Sequence, residues 1–202
     1  MPLGAHKAAL FGMAGASAGD MVLLSTQTTT DDTVTYVVFN AKINSTYNEY
    51  VFGGYNCQPV TNNKTLYFQV NDSADVGGDY DVTLVTGTSY YIHQTEANNE
   101  PTLSGSGSGP TGAVGPPMVL GSVGGGSESH ERHVFTLHVY GPASTVYKKN
   151  YWNADQAHYS GDASSSHVRA GYFDTTNSVA DIRFWWNTGN FRGTIKMWGV
   201  KS

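Results

Sequence analysis

The sequence predicts an all-β fold, an antiparallel β-sandwich of jelly-roll type with about ten short strands. Three observations point to it. Apolar and polar residues alternate with a period of two in several runs, turn formers separate nearly all of these runs, and no three-turn segment joins a helix cap signal to a 3.6-residue period.

The alternation is clearest in three places. In Thr65–Val70, Leu66, Phe68 and Val70 occupy one face and Thr65, Tyr67 and Gln69 the other. Phe135, Leu137 and Val139 alternate with Thr136, His138 and Tyr140, and Ala180, Ile182, Phe184 and Trp186 with Asp181, Arg183 and Trp185. Each pattern fits a strand with one face on a core and one in water. Further strands are expected over Thr33–Ala41, Tyr47–Gly54, Tyr80–Val85, Tyr90–Gln94, Met118–Val123, Val146–Trp152, Val168–Phe173 and Thr194–Val200. The 39% apolar and 12% aromatic content is too high for a disordered chain, while 24 glycines and 13 tyrosines suit strands and turns.

Only 13% of the 202 residues are charged, with a net charge of −5. The eleven basic residues are scattered, Lys148-Lys149 being the densest pair, so no nucleic-acid partner is expected. No apolar run approaches the ~18 residues of a membrane span, so no membrane insertion is expected. Cys57 stands alone, which excludes an intramolecular disulfide and suits a small, partly buried apolar side chain.

Residues 1–20 read as a retained N-terminal arm, because glycines interrupt its apolar patch more than a secretory leader tolerates. Residues 21–202 read as a single sandwich with a Gly/Ser-rich loop at about 102–126, in which Met118-Val119-Leu120 is an apolar island. Two domains, near 1–100 and 127–202, would each have few strands and two open edges; one sandwich hides those edges better.

No catalytic centre or cofactor is expected from the residues. His130, His133 and nearby Glu128 resemble a metal cluster, but an i, i+3 pair entering a strand points to opposite faces. The Asp-rich stretch Asn71–Asp81 could hold calcium, yet it lacks the spacing of the twelve-residue calcium loop and is equally a hairpin turn. There is no Gly-x-Ser-x-Gly elbow, and nothing in the spacing selects a glycosidase pair from Glu49, Glu96, Glu100, Asp155, Asp162, Asp174 and Asp181. The sequons at Asn44, Asn63 and Asn71 matter only in a secretory pathway. Aromatic clusters are the remaining signal: Tyr90, Tyr91 and His93, and Tyr151, Trp152, His158 and Tyr159, form a candidate binding surface for a sugar or a protein.

Several segments resemble small structural proteins of tailed bacteriophages. The closest is Thr188-Gly189-Asn190-Phe191-Arg192-Gly193-Thr194-Ile195-Lys196-Met197-Trp198-Gly199-Val200, which after Ala180–Phe184 looks like their closing hairpin. Ile43–Phe52, Pro59–Asn63, Leu66–Val70 and Ala170–Phe173 resemble other strands of the group, whereas Gly53-Gly54 stands where an aromatic or charged pair is more usual. The resemblance implies a virion protein assembled in a bacterial cytoplasm: a head decoration or cement protein, with a homotrimer expected. In that reading Leu3, His6, Lys7, Leu10, Phe11 and Met13 of the arm anchor it to the major capsid protein or another virion protein. The alternatives are a tail-fibre tip binding a host-surface glycan and, from another class, a β-sandwich glycan hydrolase.

Overall fold

Burial along His133–Tyr140 and over most of Val179–Trp186 and Phe191–Val200 alternates as the sequence pattern requires and sorts their side chains into an inner and an outer set, while Glu49–Pro59 and Lys64–Asp72 are buried at most of their positions. The computed structural model of the chain describes residues 21–201 except 31, 41, 62–63, 75–79, 96–101, 107–117, 124–131 and 160–162, with backbone alone at 86–95, 102–106, 118–123, 159 and 163. Two sheets, all of whose neighbours pair antiparallel, form the sandwich. The eight-stranded sheet runs β1 (Met21–Thr29), β12 (Phe191–Val200), β3 (Glu49–Pro59), β8 (His133–Tyr140), β9 (Lys149–Tyr159), β10 (Ala163–Phe173), β5 (Leu84–Thr95) and β6 (Thr102–Ser106). The four-stranded sheet runs β2 (Tyr36–Phe39), β11 (Val179–Trp186), β4 (Lys64–Asp72) and β7 (Met118–Val123).

The connections give the jelly roll. From β2 to β5 the chain changes sheet at every step, and it changes again from β6 to β7, β7 to β8, β10 to β11 and β11 to β12. When the meander β8–β9–β10 is taken as one element, β3, the meander, β5 and β6 face β2, β11, β4 and β7, an interleaving of two Greek keys. Strands β12 and β1 extend the larger sheet beyond β3. Both chain halves feed both sheets, since β1 to β5 precede residue 100 and β8 to β12 follow residue 127.

Several boundaries differ from expectation. Strand β1 was not anticipated, because Met21–Thr29 lacks strict alternation and carries a bulge between Leu23 and Ser25. The segments Tyr80–Val85 and Tyr90–Gln94 contribute to one strand, β5, whose Gly87 is absorbed by the register shift opposite Ala170/Gly171. The expected loop at 102–126 contains an unanticipated strand, β6, since Thr102–Ser106 pairs with β5 through backbone bonds that do not depend on apolar side chains; β7 falls at Met118–Val123 as expected and pairs with β4. The arm and its residues Leu3, His6, Lys7, Leu10, Phe11 and Met13 lie outside the described residues.

Aromatic rings from both sheets fill the space between them. Phe184 of β11 meets Phe39, Phe52, Phe68 and Phe135 at centroid distances of 6.2, 5.6, 6.3 and 5.5 Å. Phe68 meets Tyr151 edge-on at 5.5 Å, and Tyr151 stacks on Phe173 at 5.5 Å. Packing on both faces of β3 requires the pair Gly53-Gly54. A Cβ on Gly54 would lie 2.0 Å from the Phe135 ring, and one on Gly53 3.0 Å from Trp198 on the other face. The glycine pair lets one ring lie flat against each side of β3. At Gly193, φ is +131°, a backbone only glycine adopts easily, and it forms the bulge through which β12 passes Asn56 and Cys57.

Phe184→Ala empties the junction of four rings, and urea denaturation is expected to show a loss of about 3–5 kcal/mol. Val146→Ala, in an exposed loop, is expected to stay within about 0.5 kcal/mol.

Candidate functional site

The outer face of the eight-stranded sheet collects most of the exposed apolar side chains. Met21, Leu23, Tyr55, Val134, Tyr140 and Val168 all lie on it, whereas Tyr36 lies on the other sheet and Val146 and Tyr147 in the β8–β9 loop. The register explains the grouping: Met21 is opposite Val200, Leu23 opposite Trp198, and Trp198 opposite Val51, so outward positions form continuous cross-strand rows. Between Tyr55, Val134, Thr136, Ala154, Ser166 and Val168 this face holds a broad open depression of about 500 Å³. Charge is sparse along it. Glu49 hydrogen-bonds His138, and Lys196 lies over the Tyr55 ring at 5.5 Å. An apolar, weakly charged sheet face of this breadth suits docking against another flat surface.

The structure divides the expected aromatic surface. Trp152 stands on this face, edge-on to His138 at 5.2 Å, with His138 stacked on Tyr140. His158 is half-buried at the end of the same strand. Tyr151 is corrected: it points inward and is 2% exposed, because its position on β9 shares the parity of buried Asn153, Asp155 and Ala157. The side chains of Tyr90, Tyr91, His93 and Tyr159 lie outside the described residues; by backbone register, Tyr90 pairs with Val168, Tyr91 with His167 and His93 with Ser165.

On the inner face of the same strands sits a polar network that the sequence reading did not assemble. Asp155, whose side chain is fully buried, accepts hydrogen bonds from His133 Nε2 (3.2 Å), His167 Nδ1 (2.8 Å), Arg169 (2.7 Å) and Asn153 Nδ2 (3.2 Å). Register makes this arrangement: Asp155 is opposite His167, Asn153 opposite Arg169, and His133 enters from β8 beside Ala157. Burial pushes the Asp155 carboxyl up, but the bonds from His133 and His167 and the neighbouring positive charge outweigh it and hold the group well below the usual carboxylate range. His133 Nδ1 has no partner and its ring lies near Phe135 and Trp186, so the second nitrogen faces the apolar core.

The other sequence candidates are dispersed. His130, Glu131 and Glu128 fall outside the described residues, and so do Glu96, Glu100 and Asp162. Glu49 is on the outer face, Asp174 pairs with Lys148, and Asp181 accepts from Asn71 Nδ2 at 3.5 Å. In the Asp-rich stretch, Asp72 accepts bonds from Ala74 N, Thr175 Oγ1 and Asn177 Nδ2, which tie it to the β10–β11 loop; residues 75–79 are outside the described set. Among the described residues no group of three or more His, Cys, Asp and Glu could hold a metal ion. Cys57 is fully buried, and burial pushes its thiol far above the ordinary range. Of the basic pair, Lys149 is buried and donates to the carbonyls of Thr175 and Asn177, so only Lys148 faces solvent.

Because Asp155 titrates far lower in the folded chain than in the unfolded one, its stabilisation is complete above the ordinary aspartate range near pH 4 and lost as pH falls below that toward its folded value. Thermal melts from about pH 7 to about pH 2 are expected to show this loss. Asp155→Asn is expected to flatten the acid limb and to cost about 3–5 kcal/mol near neutrality, by removing the carboxylate that Arg169 faces.

In comparisons with family models, with characterised proteins and with solved structures, nothing matches this chain.

Proposed function

We propose that the chain is a virion structural protein, a decoration or cement protein that docks onto the outer surface of a tailed-bacteriophage head. The observation that carries this reading is the outer face of the eight-stranded sheet, which gathers six of the exposed apolar side chains of the described residues with few charges between them, Met21 and Leu23 continuing across Val200 and Trp198 onto β3. A cement protein contacts its neighbours permanently, so it gains from apolar area that a freely diffusing protein would keep small. The segment that carries the phage resemblance is not the closing hairpin expected from the sequence. Its two strands do not pair with each other: β11 lies between β2 and β4 and β12 between β1 and β3, so the segment joins the two layers. The jelly roll itself is an architecture of capsid proteins and of lectins, which is consistent with the reading without selecting it.

In this account the sheet face supplies contact area and the N-terminal arm adds an anchor to the major capsid protein. A homotrimer is the natural assembly, because a repeated surface lattice is met most economically by a symmetric oligomer.

Two changes test it. Leu23→Asp combined with Val134→Asp is expected to leave the isolated chain folded, since both side chains are already exposed, and to weaken binding to particles lacking the protein at least tenfold in co-sedimentation. Deletion of residues 1–20 is expected to abolish particle binding while the β-rich circular dichroism spectrum persists. Unchanged binding by both variants would refute the proposal.

A further inference from the structure

The four-stranded sheet carries a second, chemically different site on its own outer face. Arg183 alternates with buried Ile182 and Phe184 and so points away from the core. Its guanidinium lies over the Tyr80 ring at 4.2 Å and the Trp185 ring at 4.4 Å. These ring faces fix the plane of the guanidinium but accept none of its hydrogen bonds. Among the described residues the Arg183 side chain has no ion pair and no hydrogen bond, and its Nε is buried without a partner. The residue as a whole is half-buried. An arginine held so firmly, with no carboxylate among the described residues to answer it, is unusual, because buried and half-buried cations are normally paired.

The surroundings define what would answer it. Arg183 lines a cavity of about 270 Å³ together with Thr35, Tyr36, Trp185 and Thr188. Tyr36 is 55% exposed and offers a flat ring, Trp185 offers a second, and the two threonines bring hydroxyls. The volume exceeds what a bare carboxylate needs and is of the size of one pyranose ring. Flat rings beside hydroxyl donors and acceptors suit the apolar face and hydroxyls of a sugar, while the guanidinium edge suits a carboxylate.

We propose that this cavity binds an acidic monosaccharide unit, a hexuronic acid or similar carboxylated sugar, with its carboxylate on Arg183 and its ring against Tyr36 and Trp185. The site is independent of the docking face, being on the opposite sheet, and it would remain accessible on a particle that the larger sheet covers. It stands whether or not the chain decorates a capsid.

Titration of the full-length chain with D-glucuronate, D-glucose and acetate, read by tryptophan fluorescence and by calorimetry, tests the assignment. Glucuronate is expected to bind at least tenfold more tightly than either glucose or acetate, and more weakly as salt is raised. Arg183→Gln is expected to weaken glucuronate at least tenfold, Arg183→Lys less, and Tyr36→Ala several-fold, with circular dichroism and the melting temperature showing that each variant is folded. If Arg183→Gln does not fold, Tyr36→Ala, at an exposed position, carries the test alone. Equal affinity for glucuronate and glucose would overturn the role of Arg183, and equal affinity for acetate and glucuronate would overturn the sugar. Absence of glucuronate binding, or binding untouched by the variants, would overturn the whole proposal.

Discussion

The structure depends on one packing constraint: rings from both sheets must meet at Phe184. That side chain touches Phe39 from its own sheet neighbour β2, Phe68 from β4, and Phe52 and Phe135 from the opposite sheet. Aromatic pairs in such edge and offset geometries add to simple burial, and they tolerate little displacement. The position of Phe135 in turn requires Gly54, since any side chain there would occupy the ring's volume. Once Phe52, Gly54, Phe135 and Phe184 are set, the parity of β3, β8 and β11 is set with them. A slip of one residue would exchange inner and outer faces throughout. The outward rows of Val51, Tyr55, Val134 and Trp198, and the outward Arg183, are therefore consequences of the core.

The interior is not uniformly apolar. Along β9, buried Tyr151 gives way to buried Asn153 and Asp155, and along β10 to Arg169 and Ser165. A carboxylate in that place is tolerable because it has four donors, and an incomplete set would be worse than an apolar replacement. The network thus fixes the relative register of β8, β9 and β10 as strictly as the rings fix that of β3 and β11. It also makes the meander acid-sensitive, while the ring cluster is indifferent to pH.

These two regions explain what was legible. Strands β4, β8 and β11 alternate apolar with polar residues and were read directly, Leu66, Phe68 and Val70 turning inward as expected. The second half of β9 and the first half of β10 were not, because Asn153-Ala154-Asp155-Gln156 and Ser164-Ser165-Ser166-His167 carry polar residues on both faces. Their inner polar groups are satisfied by partners from other strands, which no local pattern reveals. Period-two spacing of His167 and Arg169, and of Asn153 and Asp155, was the available signal, but it has meaning only after the strands are paired. Bulges hid other details: one at Val179/Asp181 turns Val179 inward and leaves Ala180 half-exposed, against the simple alternation. Arg183 was assigned to the outer face from sequence, but its stacking on Tyr80 is a contact between distant segments.

The sandwich then presents two outer surfaces of different character, a broad apolar sheet face, proposed as the contact, and a smaller face whose Arg183 has no acidic partner among the described residues. Imaging by cryo-electron microscopy of particles carrying the chain, at a resolution that separates strands, tests that division most directly. The account predicts β1, β12, β3 and β8 lying against a neighbouring protein, with Arg183 facing solvent. A map in which the four-stranded sheet is the contact and the rows of Leu23, Val134 and Trp198 are open to water would contradict it.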